Sequence, residues 1–256
     1  MEFQLPDFGL QGLDVDFDIN DFEVVTAPAL VFGEAQQRIL QPRVAKEDIT
    51  RTVAFENAEE FAAQIELDPN IRTFAWISGN FVFGDIVEAL ITRRNVTVKK
   101  LYIASLSFSQ ENIDSLKNVM LLMGDAFEKL VLVMSGYQYS HEKYGLVPYM
   151  YQELDDETNR TQIAFGGWHT KIITLETLYG HTLTIHGSAN LRSSNSIEQI
   201  MVEVDNRELH NFNAGIMDDI AERFGTINHG APYHKMHRIE GKEAWEVCKQ
   251  WHQEAQ

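Results

Sequence analysis

The sequence predicts an α/β protein with a mixed, mostly parallel sheet flanked by helices. Three observations carry that expectation. Strand-like and helix-like segments alternate between residues 46 and 225, as they do when helices cover a sheet. Leu130-Val-Leu-Val-Met134 is a short, fully apolar run, which suits a strand buried on both faces of a parallel sheet. Ile113, Leu116, Val119, Met120 and Met123 recur at helical spacing behind Ser109, a residue type that favours helix N-caps.

The elements follow in order. Asn57 is an N-cap with acids in the next turn, leading into the helical Phe61-Ala-Ala-Gln-Ile65. Thr73 to Ser78 reads as a strand, Gly79 and Gly84 bracket a loop, and Asp85 to Thr92 is helical. Val96 to Leu106 gives a second strand, Gln110 to Met123 a long helix, and Leu130 to Met134 the buried strand. His141 to Glu153 reads as one helix. Gln162 to Leu175 is rich in Ile, Thr and aromatics, as a buried strand should be. Leu183-Thr-Ile185 and Glu198 to Val204 are further strands, and Glu208 to Phe224 is a helix closed by Gly225.

The chemistry concentrates in two of these strand segments. His169-Thr-Lys171 puts an imidazole and an ammonium two residues apart, on one face of a strand. Leu183-Thr-Ile185 leads almost directly into Gly187-Ser188-Ala189-Asn190. Adjacent strands could then gather an imidazole, an ammonium, a hydroxyl and an amide. That set suits a phosphoryl group: the imidazole attacks phosphorus or shuttles a proton, and the others hold anionic oxygens.

These residues resemble the phospholipase D superfamily, whose signature is His-x-Lys-x4-Asp followed by Gly-Ser or Gly-Gly, any residue, and Asn. Glu176 stands where the family usually has Asp, and keeps the charge. The gap to Gly187 is longer than usual, as a longer hairpin turn through Gly180 would make it. Glu198 fits the place of the family's downstream acid, which orients the catalytic histidine.

The resemblance implies one phospholipase D-like half-domain over residues 46–225. An acidic segment (1–45) precedes it, and an extension with a short helix (226–256) follows. It implies a phosphodiester hydrolase, a nuclease above all, that needs no metal or other cofactor. His169, Lys171, Ser188, Asn190 and Glu198 would be catalytic, with Glu176 and Gly187 supporting. A single signature implies a site shared across a homodimer, because a two-fold axis duplicates every residue around it. The alternative is a weakly active or inactive relative that binds or assembles nucleic acid or protein.

Composition bounds these expectations. No stretch of 18 or more apolar residues occurs, so no membrane span is expected. The N-terminus lacks the basic and apolar regions of a signal peptide, and the lone Cys248 fits a reducing compartment. A cytoplasmic location follows as an expectation. The net charge of −17 does not suit a tight nucleic-acid binder. Residues 1–25 hold seven acids and no Lys or Arg, and discounting them still leaves −10. Arg93, Arg94, Lys99, Lys100 and Arg192 are the candidates for a positive patch formed only on folding. The acidic, Phe-bearing N-terminal segment could dock a protein partner or merely solubilise the chain. His229, His234 and His237 lie in a loop-like stretch without paired cysteines, so zinc is not favoured there. Ala244 to Trp251 reads as a short amphipathic helix, and His186 as a structural neighbour of Gly187 that could add a second imidazole.

Overall fold

The computed structural model describes residues 49–55, 57–77, 82–155, 158–192 and 196–224. The expectations for 1–45, for the C-terminal histidines and for the amphipathic helix lie outside these residues. In chain order the elements are β1 (Ile49–Phe55), α1 (Ala58–Gln64), β2 (Ile71–Ile77), α2 (Ile86–Arg94), β3 (Lys100–Ser105), α3 (Gln110–Met123) and β4 (Lys129–Ser135). Then come α4 (Gly136–Glu142), α5 (Leu146–Leu154), β5 (Thr161–Gly166), β6 (Ile172–Glu176), β7 (Thr182–Gly187), β8 (Glu198–Val204) and α6 (Arg207–Phe224).

Caps fix the helix starts. The Asn57 side chain accepts from the Glu60 N–H at α1, and Ser109 and Asn112 form a reciprocal capping box at α3. Asn95, at φ 53°, closes α2 in the left-handed conformation that asparagine tolerates. The helix expected over 141–153 is two helices, α4 and α5. Pro148 explains the break: it has no N–H to give to the Tyr144 carbonyl, so it sits in the first turn of a new helix.

The eight strands form one sheet in the order β1-β2-β8-β7-β6-β3-β4-β5. Six strands run one way, and β6 and β8 run against them, because β1–β2, β3–β4 and β4–β5 are parallel and the other pairs antiparallel. The sheet is thus mixed: six of its eight strands share a direction, while four of its seven pairings are antiparallel. Its antiparallel part is the β6–β7–β8 meander together with the β3 and β2 strands that flank it. The β6–β7 hairpin turns through Gly180 at φ +80°, and is closed by Thr177 N–H donating to the His181 carbonyl at 2.8 Å.

Side chains alternate across the sheet with period 2. Leu101 and Ile103 of β3, with Leu130, Leu132, Ile163, Phe165, Ile173 and Ile185, face the helices α1, α2, α3 and α5. Tyr102, Ala104, Val131, Val133 and Ala164 face α6 through Ala214, Met217, Ile220 and Ala221. Beneath α6, Thr174 Oγ1 lies 2.7 Å from Thr184 Oγ1 and 2.9 Å from His210 Nδ1. Burial pushes the His210 imidazole below its ordinary value, so it sits there neutral. Beside α6 the same face continues over β2, where Trp76 is 45 % exposed and meets Phe74 edge-on at 6.3 Å.

Asp85, at the start of α2, is a charge held at a cost. Its Oδ1 is buried without a hydrogen bond. Burial, then the neighbouring carboxylates of Glu88 and Glu111, push it up from 3.8 to about 6, against a smaller opposing effect of the Asn112 side chain. Between those two values the folded state binds the extra proton, so stability falls as pH rises from about 4 to about 6. Asp85→Asn is therefore expected to stabilise the protein at pH 7 by about 1–3 kcal/mol and to flatten that slope. Urea denaturation at pH 4, 5, 6 and 7 checks this, and equal midpoints for both proteins at pH 7 would refute it.

Candidate functional site

The carboxyl ends of the six co-directional strands and the first residues of β6 and β8 share one edge of the sheet. The signature residues lie there. His169 and Lys171 are in the 167–171 connection, not on a strand as expected. The reason is topological: β5 is the edge strand, and the chain must cross β4 and β3 to reach the place of β6. Lys171 immediately precedes β6. Its Nζ lies 3.4 Å from His169 Nδ1 and donates to the His169 carbonyl at 3.3 Å.

β6 and β7 are adjacent, with Ile172 opposite His186. This joins the two halves of the signature, for the Gly187 N–H donates to the Lys171 carbonyl at 3.4 Å. The strand beyond is β8, and its register with β7 pairs Gly187 with Ile200. Ser188 is tied to that strand at three points. Its N–H donates to the Gln199 carbonyl at 2.9 Å, its Oγ accepts from the Gln199 N–H at 3.0 Å, and its hydroxyl donates to the Glu198 carboxylate. Glu198 thus stands at the site, with a carboxylate oxygen on Ser188.

Asn190 is held between two buried neighbours, Ala189 and Leu191. Its Oδ1 is buried without a hydrogen-bond partner. The Leu191 N–H donates to Ser105 Oγ at 3.2 Å, and its carbonyl accepts from the Gly84 N–H at 2.8 Å. Neither Ser105 nor Gly84 was among the residues expected at the site. Gly84 carried a signal, as one of two glycines bracketing a loop, whereas Ser105 carried none.

Glu176 lies at the far end of β6, about 13 Å along the strand from Ile172. It pairs with Lys100 at 3.4 Å, and its carbonyl accepts from the Lys99 N–H at 2.8 Å. It anchors the sheet rather than facing His169. His186 Nε2 lies 3.8 Å from the Glu203 carboxylate, an electrostatic contact longer than a hydrogen bond. Burial alone would raise the Glu203 carboxyl. His186, Asn206 at 2.8 Å and Arg72 at 3.2 Å outweigh it and hold the group down at about 2. His181, at the hairpin turn, bonds Asp205 at 2.8 Å.

The expected positive patch does not gather at the site. Arg93 pairs with Glu59 and Lys99 with Glu128, Lys100 takes Glu176, and Arg94 donates to the Ala62, Ala63 and Ile65 carbonyls that end α1. Arg192, exposed two residues after Asn190, is the one of the five beside it. Among the described residues no three His, Cys, Asp or Glu side chains gather as a metal-binding set, and no helix is long and apolar enough to cross a membrane.

No family model matches the chain, and no curated protein does. Among solved structures it is similar to Nuc from Salmonella typhimurium, at TM-score 0.43 and 12% identity over 61% of this chain and 96% of that one. That protein is a member of the phospholipase D family, the one the signature residues resemble. It is also similar to NucT from Helicobacter pylori, at TM-score 0.42 and 15% identity over 59% and 97% of the two chains. Yeast tyrosyl-DNA phosphodiesterase 1 matches at TM-score 0.28 and 13% identity over 41% of this chain and 25% of its own. Likeness at this level does not assign an activity.

Proposed function

We propose that this protein is a metal-independent phosphodiesterase, a nuclease, that works through a phosphohistidine at a site completed by a second copy of the chain. The observation that carries this reading is the joining of the two signature halves at one sheet edge. The Gly187–Lys171 bond joins the segment that carries an imidazole and an ammonium to the segment that carries a hydroxyl and an amide. Those are the groups that in-line displacement at phosphorus needs.

In this mechanism Nε2 of one His169 attacks phosphorus, and the bond to the leaving oxygen breaks as that oxygen takes a proton from the second His169. The second imidazole, now neutral, removes a proton from water. The resulting hydroxide attacks phosphorus, and the P–N bond breaks with its electrons returning to Nε2. Lys171 and Asn190 hold the non-bridging oxygens, where developing charge is worth most to stabilise. Attack through Nε2 requires the proton to sit on Nδ1, which cannot then accept from Lys171. Substrate must therefore draw the ammonium onto a phosphate oxygen, leaving the Nδ1 proton to an acceptor such as Glu198.

The need for two imidazoles in two roles supports the dimer, since His186, the next imidazole along the signature, is turned to Glu203. Trp76, exposed beside α6 and packed on the half-buried Phe74, offers a second copy an apolar surface.

Hydrolysis of bis(p-nitrophenyl) phosphate and of single- and double-stranded DNA, all in EDTA, tests the activity. Light scattering tests the assembly, with twice the chain mass of 29.3 kDa expected. A fully active monomer at micromolar concentration would defeat the shared site. A dimer inert on every substrate would leave a binding or assembly module.

A further inference from the structure

The backbone just after Asn190 is held by residues far away in sequence. Leu191, the next residue, has both backbone groups held from outside the signature, its N–H by Ser105 Oγ and its carbonyl by the Gly84 N–H. Ser105 is the last residue of β3 and only 1% exposed. Its single hydroxyl proton goes to the Ser107 carbonyl at 2.9 Å. That fixes the rotor and leaves an oxygen lone pair for the Leu191 N–H. On the other side, a Cβ at Gly84 would stand 2.2 Å from Asn112 Nδ2, and Asn112 is itself buried and locked into the α3 cap. The Gly84 backbone is therefore packed closely against the Asn112 side chain. β3 is also the neighbour of β6, with Ala104 opposite Ile172, the residue after Lys171. Ser105 thus connects the Asn190 loop to the start of β6, into which the connection bearing His169 and Lys171 leads.

We propose that Ser105 is a positioning residue for the reaction: its hydroxyl, bonded to the Leu191 amide, fixes the distance from the Asn190 amide to the His169–Lys171 pair. The inference rests on the reading of Asn190 as a phosphate ligand. Ser105→Ala leaves the Leu191 N–H buried and unpaired and lets the loop drift. A displacement near one ångström costs on the order of 10²-fold in rate when a group must meet a transition state.

The test compares intact protein, Ser105→Ala, Ser105→Thr, Asn190→Ala and the double alanine variant on bis(p-nitrophenyl) phosphate in EDTA. Ser105→Ala is expected to lower kcat by about 10- to 100-fold with KM within about threefold. Ser105→Thr, which keeps the hydroxyl, restores most of the rate. In the Asn190→Ala background the same change has little further effect, because residues acting as one unit are not additive. An unchanged kcat in Ser105→Ala, or losses that multiply, would overturn the proposal. A second readout does not need turnover. The Asn190 side-chain NH2 signals in a 15N spectrum, identified by their loss in Asn190→Ala, should move or broaden in Ser105→Ala and return in Ser105→Thr. If they stay in place, the brace is wrong whether or not the protein is an enzyme. If they move while intact protein hydrolyses nothing, the brace stands and the hydrolase reading fails.

Discussion

Replacing His169 with alanine is expected to reduce phosphodiester hydrolysis in EDTA by at least about 10³-fold in kcat, the scale seen when a covalent nucleophile is removed. The melting temperature should hardly change. The imidazole is exposed, and its hydrogen-bond contact is the long one with Lys171, so its loss opens no cavity and strands no buried group. That separation makes the variant informative, because lost activity cannot be put down to lost fold. In a dimer the change removes nucleophile and proton donor together, since one residue serves both roles. A mixed dimer of one intact and one His169→Ala chain should also be strongly impaired, because each half-reaction then lacks a partner. A phosphate adduct trapped on intact protein by an alkaline quench, where a P–N bond survives and a protonated one does not, should be missing from the variant. Retained turnover would remove His169 from the chemistry and with it the phosphohistidine.

What could be read from the sequence was what depends on near neighbours. The apolar run 130–134, the cap at Ser109 and the hairpin through Gly180 each follow from a few consecutive residues, and each is present. The break between α4 and α5 was also written locally, in Pro148, but helical periodicity on both sides concealed it. Long-range pairing was not legible. Nothing in Gln162 to Leu175 shows that its first half ends as an edge strand and its second half joins β3, so His169 and Lys171 read as strand residues when they lie in a crossover. The Ser105 contact with Leu191 spans 86 positions, and no pattern within either segment announces it. The basic candidates failed for a related reason: whether Lys99 or Lys100 is free depends on Glu128 and Glu176, which only the sheet brings near.

Gly187→Ala is expected to cost the most stability of the changes considered, and the reason lies outside the signature's chemistry. At the end of β7, a Cβ on residue 187 would stand 2.1 Å from the Gln199 carbonyl oxygen and 2.8 Å from Ile200 Cα. Both atoms are backbone, so no rotamer change can relieve the overlap. β8 is also paired on its other edge to β2, from Arg72 opposite Glu203 to Ile77 opposite Glu198. Moving β8 aside therefore strains two ladders at once. Overpacking a well-fitted site costs about 1–3 kcal/mol where side chains can adjust, and this backbone clash belongs at or above the upper end. For a protein of this size a loss of about 3 kcal/mol lowers Tm by about 6–12 °C. Activity should fall as well, well below the melting transition, because Gln199 carries both backbone contacts that hold Ser188 against Glu198. The glycine of the signature thus answers to the approach of β8, while the serine after it is tied to Glu198 and Gln199. A Gly187→Ala protein melting within about 2 °C of the parent would show that β7 and β8 do not approach this closely, and the placement of Ser188 would fall with that result.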